Sequence, residues 1–332
     1  MKKVVVFGGG GYCASLLVPQ LVEEGWQVRV FDTFWYGTDH LPNHPQLELI
    51  KGDVRDLAAV KRALEGCDYV LHLACISNDA SFELDERLST SVNLESFEPL
   101  VLAAKQAGVK RFVFASSSSV YGVSESPSVT EDHPLVPLTL YNKYKGLCEP
   151  LLLRHADDNF VGVIFRPATV CGFAPRQRLD LSVNILTNHA VNKGQITVFG
   201  GDQLRPNLHV QDYADLCKLL LTAPATDVSH QIFNCGFQNM SIMDIAKTVK
   251  RVVEETFPEL GDIPLIVTES NDPRSYHINS DKIFKALGFR PKYSVEDAVR
   301  DLCKAFKQGK LPNSFDDDRY YNVRTMKKIG AV

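Results

Sequence analysis

The chain has 332 residues, of which 45% are hydrophobic and 23% charged, with a formal net charge of −4. That is globular rather than disordered or fibrous composition, and the absence of a long Lys or Arg run excludes nucleic acid as the main partner. No stretch of about eighteen apolar residues occurs, so no membrane span is expected; the length predicts a large α/β domain carrying a smaller second lobe.

Met1-Lys2-Lys3 passes straight into the apolar run Val4–Phe7. Neither a signal-length apolar segment nor a cleavage site precedes that run, and a cytoplasmic enzyme is expected. Gly8-Gly9-Gly10-Gly11-Tyr12-Cys13-Ala14 follows the strand and opens a helix. Gly8 permits a tight turn, Gly11 lets the backbone approach a pyrophosphate, and Ala14 allows close helix packing, so that the helix start at Tyr12 and Cys13 aims its N–H groups at phosphate.

The second strand, Val28–Phe31, is followed by Asp32. A carboxylate there accepts from the adenosine ribose hydroxyls and repels a 2′-phosphate, which favours NAD, while Arg29 nearby keeps NADP open. The third strand, Leu47–Ile50, leads to Gly52-Asp53-Val54, where Asp53 either bonds the adenine amino group or is a plain loop aspartate. The fourth, Tyr69–Leu73, brings Leu73 and Ala74 to the cofactor, with Cys75, Ser77, Asn78 and Asp79 just beyond, where nicotinamide and substrate should meet. Asn78 or Asp79 is placed to contact substrate hydroxyls, and Cys75 reads as a small buried thiol before it reads as an acid or base.

Phe112–Ala115 is the fifth strand, and the serine run Ser116–Ser119 leaves it ahead of Val120-Tyr121-Gly122. Ligands gather at that edge of a parallel sheet. Tyr141 and Lys145 stand four apart on a predicted helix, hence on one face. A nearby ammonium stabilises a phenolate, which would let Tyr141 take a hydroxyl proton while hydride leaves the same carbon for NAD. Val161–Phe165 completes a set of strands apolar on both faces and separated by helical patterns, the signature of a doubly wound parallel sheet.

Beyond Arg166 the alternation loosens and a smaller α/β lobe begins, with helical patterns at Leu181–Asn192, Ser241–Glu255 and Val295–Phe306. Gln231–Asn234 reads as a strand returning to the sheet. The expected division is residues 1–170 for the dinucleotide-binding domain, with segments near 208–237 returning to it, and 171–332 mainly for the substrate lobe. His72 and His209 lie in strand-like runs and satisfy local hydrogen bonds, with His209 lining the sugar pocket as the alternative. The tail Asp316-Asp317-Asp318-Arg319-Tyr320-Tyr321 reads as a surface wrap without function. Eight cysteines in apolar contexts, with no Cys-x-x-Cys pair and no clustered histidines, suggest buried free thiols, a reducing compartment and no metal site.

In this order, the glycine turn, Asp32, the serine run and the Tyr-Lys pair resemble the extended short-chain dehydrogenase/reductase family, its nucleotide-sugar epimerases and dehydratases, over nearly the whole length. The resemblance implies a Rossmann-type fold, NAD as cofactor, and a nucleotide-diphosphate sugar as substrate. It makes Ser117 the catalytic hydroxyl, Tyr141 the base, and Lys145 the lysine that also holds the nicotinamide ribose. The family's 4,6-dehydratases place Asp and Glu directly after that hydroxyl residue; Ser118 and Ser119 stand there instead, which argues against dehydration. Arg205 and Arg274 resemble the family's phosphate-binding arginines, suited to a diphosphate by their bidentate donors. Thr169 stands where an asparagine commonly contacts the diphosphate, and Arg176, Arg178 or Asn184 is expected to compensate. Ser118 and Asn78 complete the expected substrate contacts. The resemblance also implies a homodimer built on the segments near Leu94–Ala107 and Tyr141–His155.

The leading reading is an epimerase, at carbon 4 by analogy with the family. A net 4-dehydrogenase or keto-sugar reductase would use the same residues, and a non-catalytic NAD-binding regulator is a third reading, against which intact Ser117, Tyr141 and Lys145 argue.

Overall fold

The computed structural model of the chain describes residues 2–269 and 275–330. Strands β1 (Lys3–Phe7), β2 (Gln27–Asp32), β3 (Leu47–Lys51), β4 (Tyr69–His72), β5 (Arg111–Ala115) and β6 (Val161–Pro167) are separated by helices except between β2 and β3, which a loop joins. They are followed by β7 (Thr169–Cys171), β8 (Ile196–Phe199), β9 (Leu204–His209), β10 (Gln231–Cys235), β11 (Gln238–Ser241) and β12 (Leu265–Thr268). One seven-stranded sheet runs in the order β10-β6-β5-β4-β1-β2-β3. Every pairing in it is parallel, which makes it a Rossmann-like α/β sheet.

The apolar runs sit inside because alternate residues of a strand point to opposite faces, and both faces are covered. In β1, Val4 and Val6 join the core on one face and Val5 and Phe7 the core on the other. Strand order reverses between β1 and β4, so a crevice opens at the carboxyl ends of these two strands.

The lobe is built on the helices Ser182–Lys193, Ile242–Thr256 and Val295–Lys307, which share a core with Ile196 and Val198 of β8. A three-stranded sheet, β11-β9-β7, and the pair β12-β8 complete it. These short strands lack a readable period: β9 contains Arg205, Pro206 and Asn207 within six residues. The return of Gln231–Cys235 to the edge of the large sheet beside β6 matches the sequence expectation. Ile278 and Ile283 also belong to the core beneath the large sheet, so the chain crosses back a second time before it returns to the lobe as the helix Val295–Lys307.

Candidate active site

A cleft of about 630 Å³ runs along the carboxyl ends of the strands, from the glycine turn to the lobe. Of the residues singled out in the sequence, Gly8, Gly11, Tyr12, Cys13, Asp32, Asp53, Val54, Leu73, Ala74, Asn78, Ser117, Ser118, Tyr141, Lys145, Thr169, Arg176 and Arg205 line it. Asn184 does not, and Arg274 lies outside the described residues.

At one end the first turn is shaped for close approach. Gly8 has φ +82°, and a Cβ there would lie 2.5 Å from the backbone nitrogen of Ala74 on the neighbouring strand's exit. Only glycine meets both conditions. The helix Tyr12–Glu23 begins at Gly11 with no side chain capping it, which leaves its first N–H groups for an anion. Asp32 accepts from Gly10 N at 2.9 Å and Phe34 N at 2.7 Å; burial raises its pKa against the pull of those two bonds. This cradle, uncapped helix start and carboxylate fit a dinucleotide.

Arg29, which left NADP open, is engaged elsewhere. Its Nε meets Glu48 at 2.7 Å and its Nη1 donates to the carbonyls of Ala63 and Glu65 at 2.7 and 3.0 Å. Asp53 is tied to Arg55 at 2.7 Å. Partial burial opposes its ionisation, yet the hydrogen bonds and charge of Arg55 hold its pKa below the ordinary value.

At the other end Tyr141 and Lys145 project from the helix Leu140–Leu153, whose start is capped by Thr139 accepting from Asn142 N. The ammonium of Lys145 donates to the carbonyl of Ala115 at 2.7 Å, 5.0 Å above the ring of Phe114. Contrary to the expected lowering, the Tyr141 phenol is pushed well above its usual range: burial is the main cause, Cys75 and Asp79 add to it, and Arg178 opposes. The lysine is turned to the end of β5, and with its charge held there the desolvation of Tyr141 dominates.

Ser117 caps the short turn Ser118–Tyr121. Its Oγ lies 2.7 Å from Ser119 Oγ, which in turn makes a short bond to Asn142 Oδ1. Asp79 accepts from Thr139 Oγ1 at 2.6 Å. Asn78, at φ +73°, accepts from Ser81 N at 2.8 Å and so caps a short helix. Cys75 is half-buried on the cleft wall rather than enclosed.

On the lobe side Thr169 Oγ1 lies 3.5 Å from Tyr276 OH, and the guanidinium of Arg205 sits 5.3 Å from the same ring. Arg205 lies inside β9 rather than ahead of a strand. Asn184 is a clamp: it accepts from Gly172 N at 3.0 Å and donates to Arg178 O at 2.9 Å and Tyr12 OH at 3.3 Å, fully enclosed. Helix packing turned it inward, so it holds the loop that carries the arginines. His209 is likewise displaced from the cleft: its Nδ1 accepts from Gln211 N and its Nε2 faces Asp301 at 3.4 Å in a separate hollow.

Of the tail segment, residues 316–320 lie at the surface and Tyr321 is buried; just beyond it Asn322 and Met326, which carried no expectation, are buried and line the cleft. A chain end of mixed polarity carries no signal of where it docks. Tyr36 and Tyr276, also on the cleft wall, were missed for the same reason, although Tyr276 stands two residues from the arginine singled out at 274.

Residues 4–236 match the profile of the NAD dependent epimerase/dehydratase family. Over its length the chain is 29% identical to a UDP-glucose 4-epimerase of Lactobacillus helveticus, covering 95% of this chain and 99% of that protein. It is 27% identical to a dTDP-D-glucose 4,6-dehydratase of Mus musculus, over 92% and 89% of the two chains. Among solved structures, MoeE5 in complex with UDP-glucose and NAD superposes with a TM-score of 0.78 at 25% identity, over 92% of this chain and 99% of that one.

Proposed function

The chain belongs to the NAD dependent epimerase/dehydratase family, and on that premise we propose that it epimerises a nucleoside-diphosphate sugar, at carbon 4, through a transient keto-sugar and without net redox. The observation that carries this reading is the pair of positions after Ser117. Ser118 is buried and Ser119 is bonded into a hydroxyl–amide chain with Ser117 and Asn142, so neither offers a carboxylate to protonate a leaving hydroxyl. Relatives of the chain include both epimerases and dehydratases, and this absence of an acid–base pair is what favours the former.

When bound, NAD supplies the two-electron hydride acceptor. The chain does the rest. Tyr141, neutral in the apo-protein, would act as the phenolate once the cofactor's positive charge is bound, taking the hydroxyl proton as the C–H bond at the same carbon breaks and leaving a ketone; Ser117 would donate a hydrogen bond to that oxygen. With the ring turned over and hydride returned to the opposite face from the reduced cofactor, Tyr141 would give back the proton to the re-formed hydroxyl. Lys145, one helical turn from Tyr141 and bonded to the carbonyl of Ala115, would hold the nicotinamide ribose, while Arg178 is the cation that acts on the Tyr141 phenol.

Eight free thiols suit a reducing compartment, and we place the enzyme in the cytoplasm on that ground. Leu102 and Leu147, 38% and 43% exposed, lie on the two helical segments proposed for a homodimer.

The test is NMR of the purified enzyme with UDP-, GDP-, CDP- and TDP-hexoses, with absorbance of reduced nicotinamide followed in parallel. A new stereoisomer without accumulating NADH supports the reading. A keto-sugar with stoichiometric NADH makes the protein a dehydrogenase instead, and a 4-keto-6-deoxy product makes it a dehydratase.

A further inference from the structure

We propose that Arg176 and Arg178, carried on the loop between the sheet and the lobe, form a second half of the site for the cofactor's pyrophosphate, and that Asn322 of the C-terminal helix latches it.

The arginines are held where a cation is costly. Both residues are buried, 5% and 9% exposed, and Arg176 Nε and Arg178 Nη2 have no hydrogen-bond partner among the described residues although both residues line the cleft. Arg178 has one counter-ion, Asp180 at 2.9 Å. The other contacts of Arg176 are neutral: Asn322 Oδ1 at 2.7 Å and the face of Tyr36, whose ring centre lies 3.5 Å from the guanidinium carbon. Burial pulls the pKa of Arg176 down to about 10. Asp180 and, at longer range, Asp32 balance the two buried guanidinium charges, but Arg176 Nε and Arg178 Nη2 remain buried donors without acceptors, which the oxygens of a bound dianion would satisfy.

Position decides which dianion. The backbone nitrogen of Arg176 donates to Ser15 Oγ at 3.0 Å, in the first turn of the helix that begins at the glycine turn. Tyr36 follows β2 and Asp32, where a dinucleotide's ribose is held. The arginines therefore face the glycine turn across the cleft, and a pyrophosphate lying on that turn would be gripped from both sides. The thiol of Cys13 and the phenol of Tyr12 both lie in the field of Arg178.

Asn322 closes the arrangement. Besides Arg176 it donates to Ser77 Oγ at 2.9 Å and its backbone nitrogen donates to Asp180 at 3.1 Å, while Leu179 N donates to Tyr320 O at 2.9 Å. One side chain thus joins the arginine loop to the exit of β4. Dissociation of the cofactor requires this three-way contact to part, which suits an enzyme that keeps its NAD through turnover.

Binding of NAD to the full-length apo-protein, by calorimetry and stopped-flow fluorescence, tests the proposal with UDP as the comparison ligand; no turnover is needed, so the outcome is independent of the epimerase reading. Arg176→Gln is expected to weaken NAD by about tenfold to a hundredfold, the worth of one charge-assisted hydrogen bond, and to leave UDP affinity unchanged. Because the substitution removes a desolvated cation with a buried donor left unsatisfied, the unfolding midpoint of the apo-protein is expected not to fall. Asn322→Ala is expected to speed NAD release by about tenfold. Unchanged NAD affinity in Arg176→Gln, or a loss of UDP binding larger than that of NAD, overturns the assignment to the cofactor. Unchanged release from Asn322→Ala overturns the latch, and that variant decides the matter should the arginine variant fail to fold.

Discussion

Arg166 and Glu149 meet in a two-point ion pair, Nε to Oε1 at 2.9 Å and Nη2 to Oε2 at 2.6 Å, each side chain 3% exposed. Glu149 also accepts from Ser116 Oγ at 2.6 Å, and Arg166 donates to the hydroxyl of Tyr121. The pair ties β6 and the helix that carries Tyr141 and Lys145 to both ends of the serine turn. Arg166→Met leaves Glu149 buried without its partner, and a loss of about 3–5 kcal/mol is expected. The double replacement Arg166→Met with Glu149→Leu should cost less than the single change. Urea unfolding of the four proteins of the cycle measures this, and a double variant as unstable as the sum of the singles would refute it.

Tyr141→Phe removes the proposed proton acceptor while keeping the ring. Turnover is expected to fall by about a hundred- to ten-thousandfold, with NAD affinity held. A variant retaining most of its activity would restore the reading of a different base.

Burial keeps the Tyr141 phenol neutral, and Tyr12 and Tyr213 are raised by the same cause. A phenol whose folded pKa lies above its unfolded value of 10.0 stabilises the fold below that value and ceases to do so as pH rises through the folded pKa. The unfolding midpoint of the apo-protein should therefore hold through neutral pH and fall above about pH 10. Tyr141→Phe should make that alkaline fall shallower. For the holoenzyme, kcat/KM should rise with pH on the acid side as the phenolate forms; a flat profile down to pH 5 would exclude this base.

NAD should bind more tightly than NADP, since the carboxylate of Asp32 lines the cleft beside the glycine turn and Arg29 is engaged with Glu48 and two carbonyls. Repulsion between unit charges about 4 Å apart is roughly 1–4 kcal/mol between water and a protein surface. Asp32→Ser should narrow the gap between the two Kd values, chiefly by improving NADP. Equal affinities in the unaltered protein would contradict the role of Asp32.

Gly8→Ala combines a left-handed backbone, roughly 1–2 kcal/mol for a residue with a Cβ, with a 2.5 Å approach to the Ala74 nitrogen. Loss of NAD binding together with a lowered unfolding midpoint is expected. Gly25→Ala, at the same φ of +82° but with open space around it, should lower the midpoint by the backbone cost alone and leave NAD binding unchanged.

The parallel sheet was legible because runs such as Val4–Phe7 are apolar on both faces, and only burial between two layers of helices satisfies such a run. The glycine turn and the spacing of Tyr141 and Lys145 were legible because each is local: a turn or a helical face is set by residues a few positions apart. The direction of the Lys145 ammonium was not, since it depends on where the end of β5 lies. Nor was the inward turn of Asn184, which needs Tyr12 as its partner across the fold.

What the sequence determined by itself was the strands of the large sheet, the main helices and the dinucleotide turn, together with the spacing of the groups proposed for proton chemistry, all written in short-range periodicity. What only the tertiary structure decided was which distant groups meet. Ser77 and Asn322 are joined across 245 positions and Arg176 and Asn322 across 146, and polar side chains at such separations find one another only after the apolar core has brought their segments together.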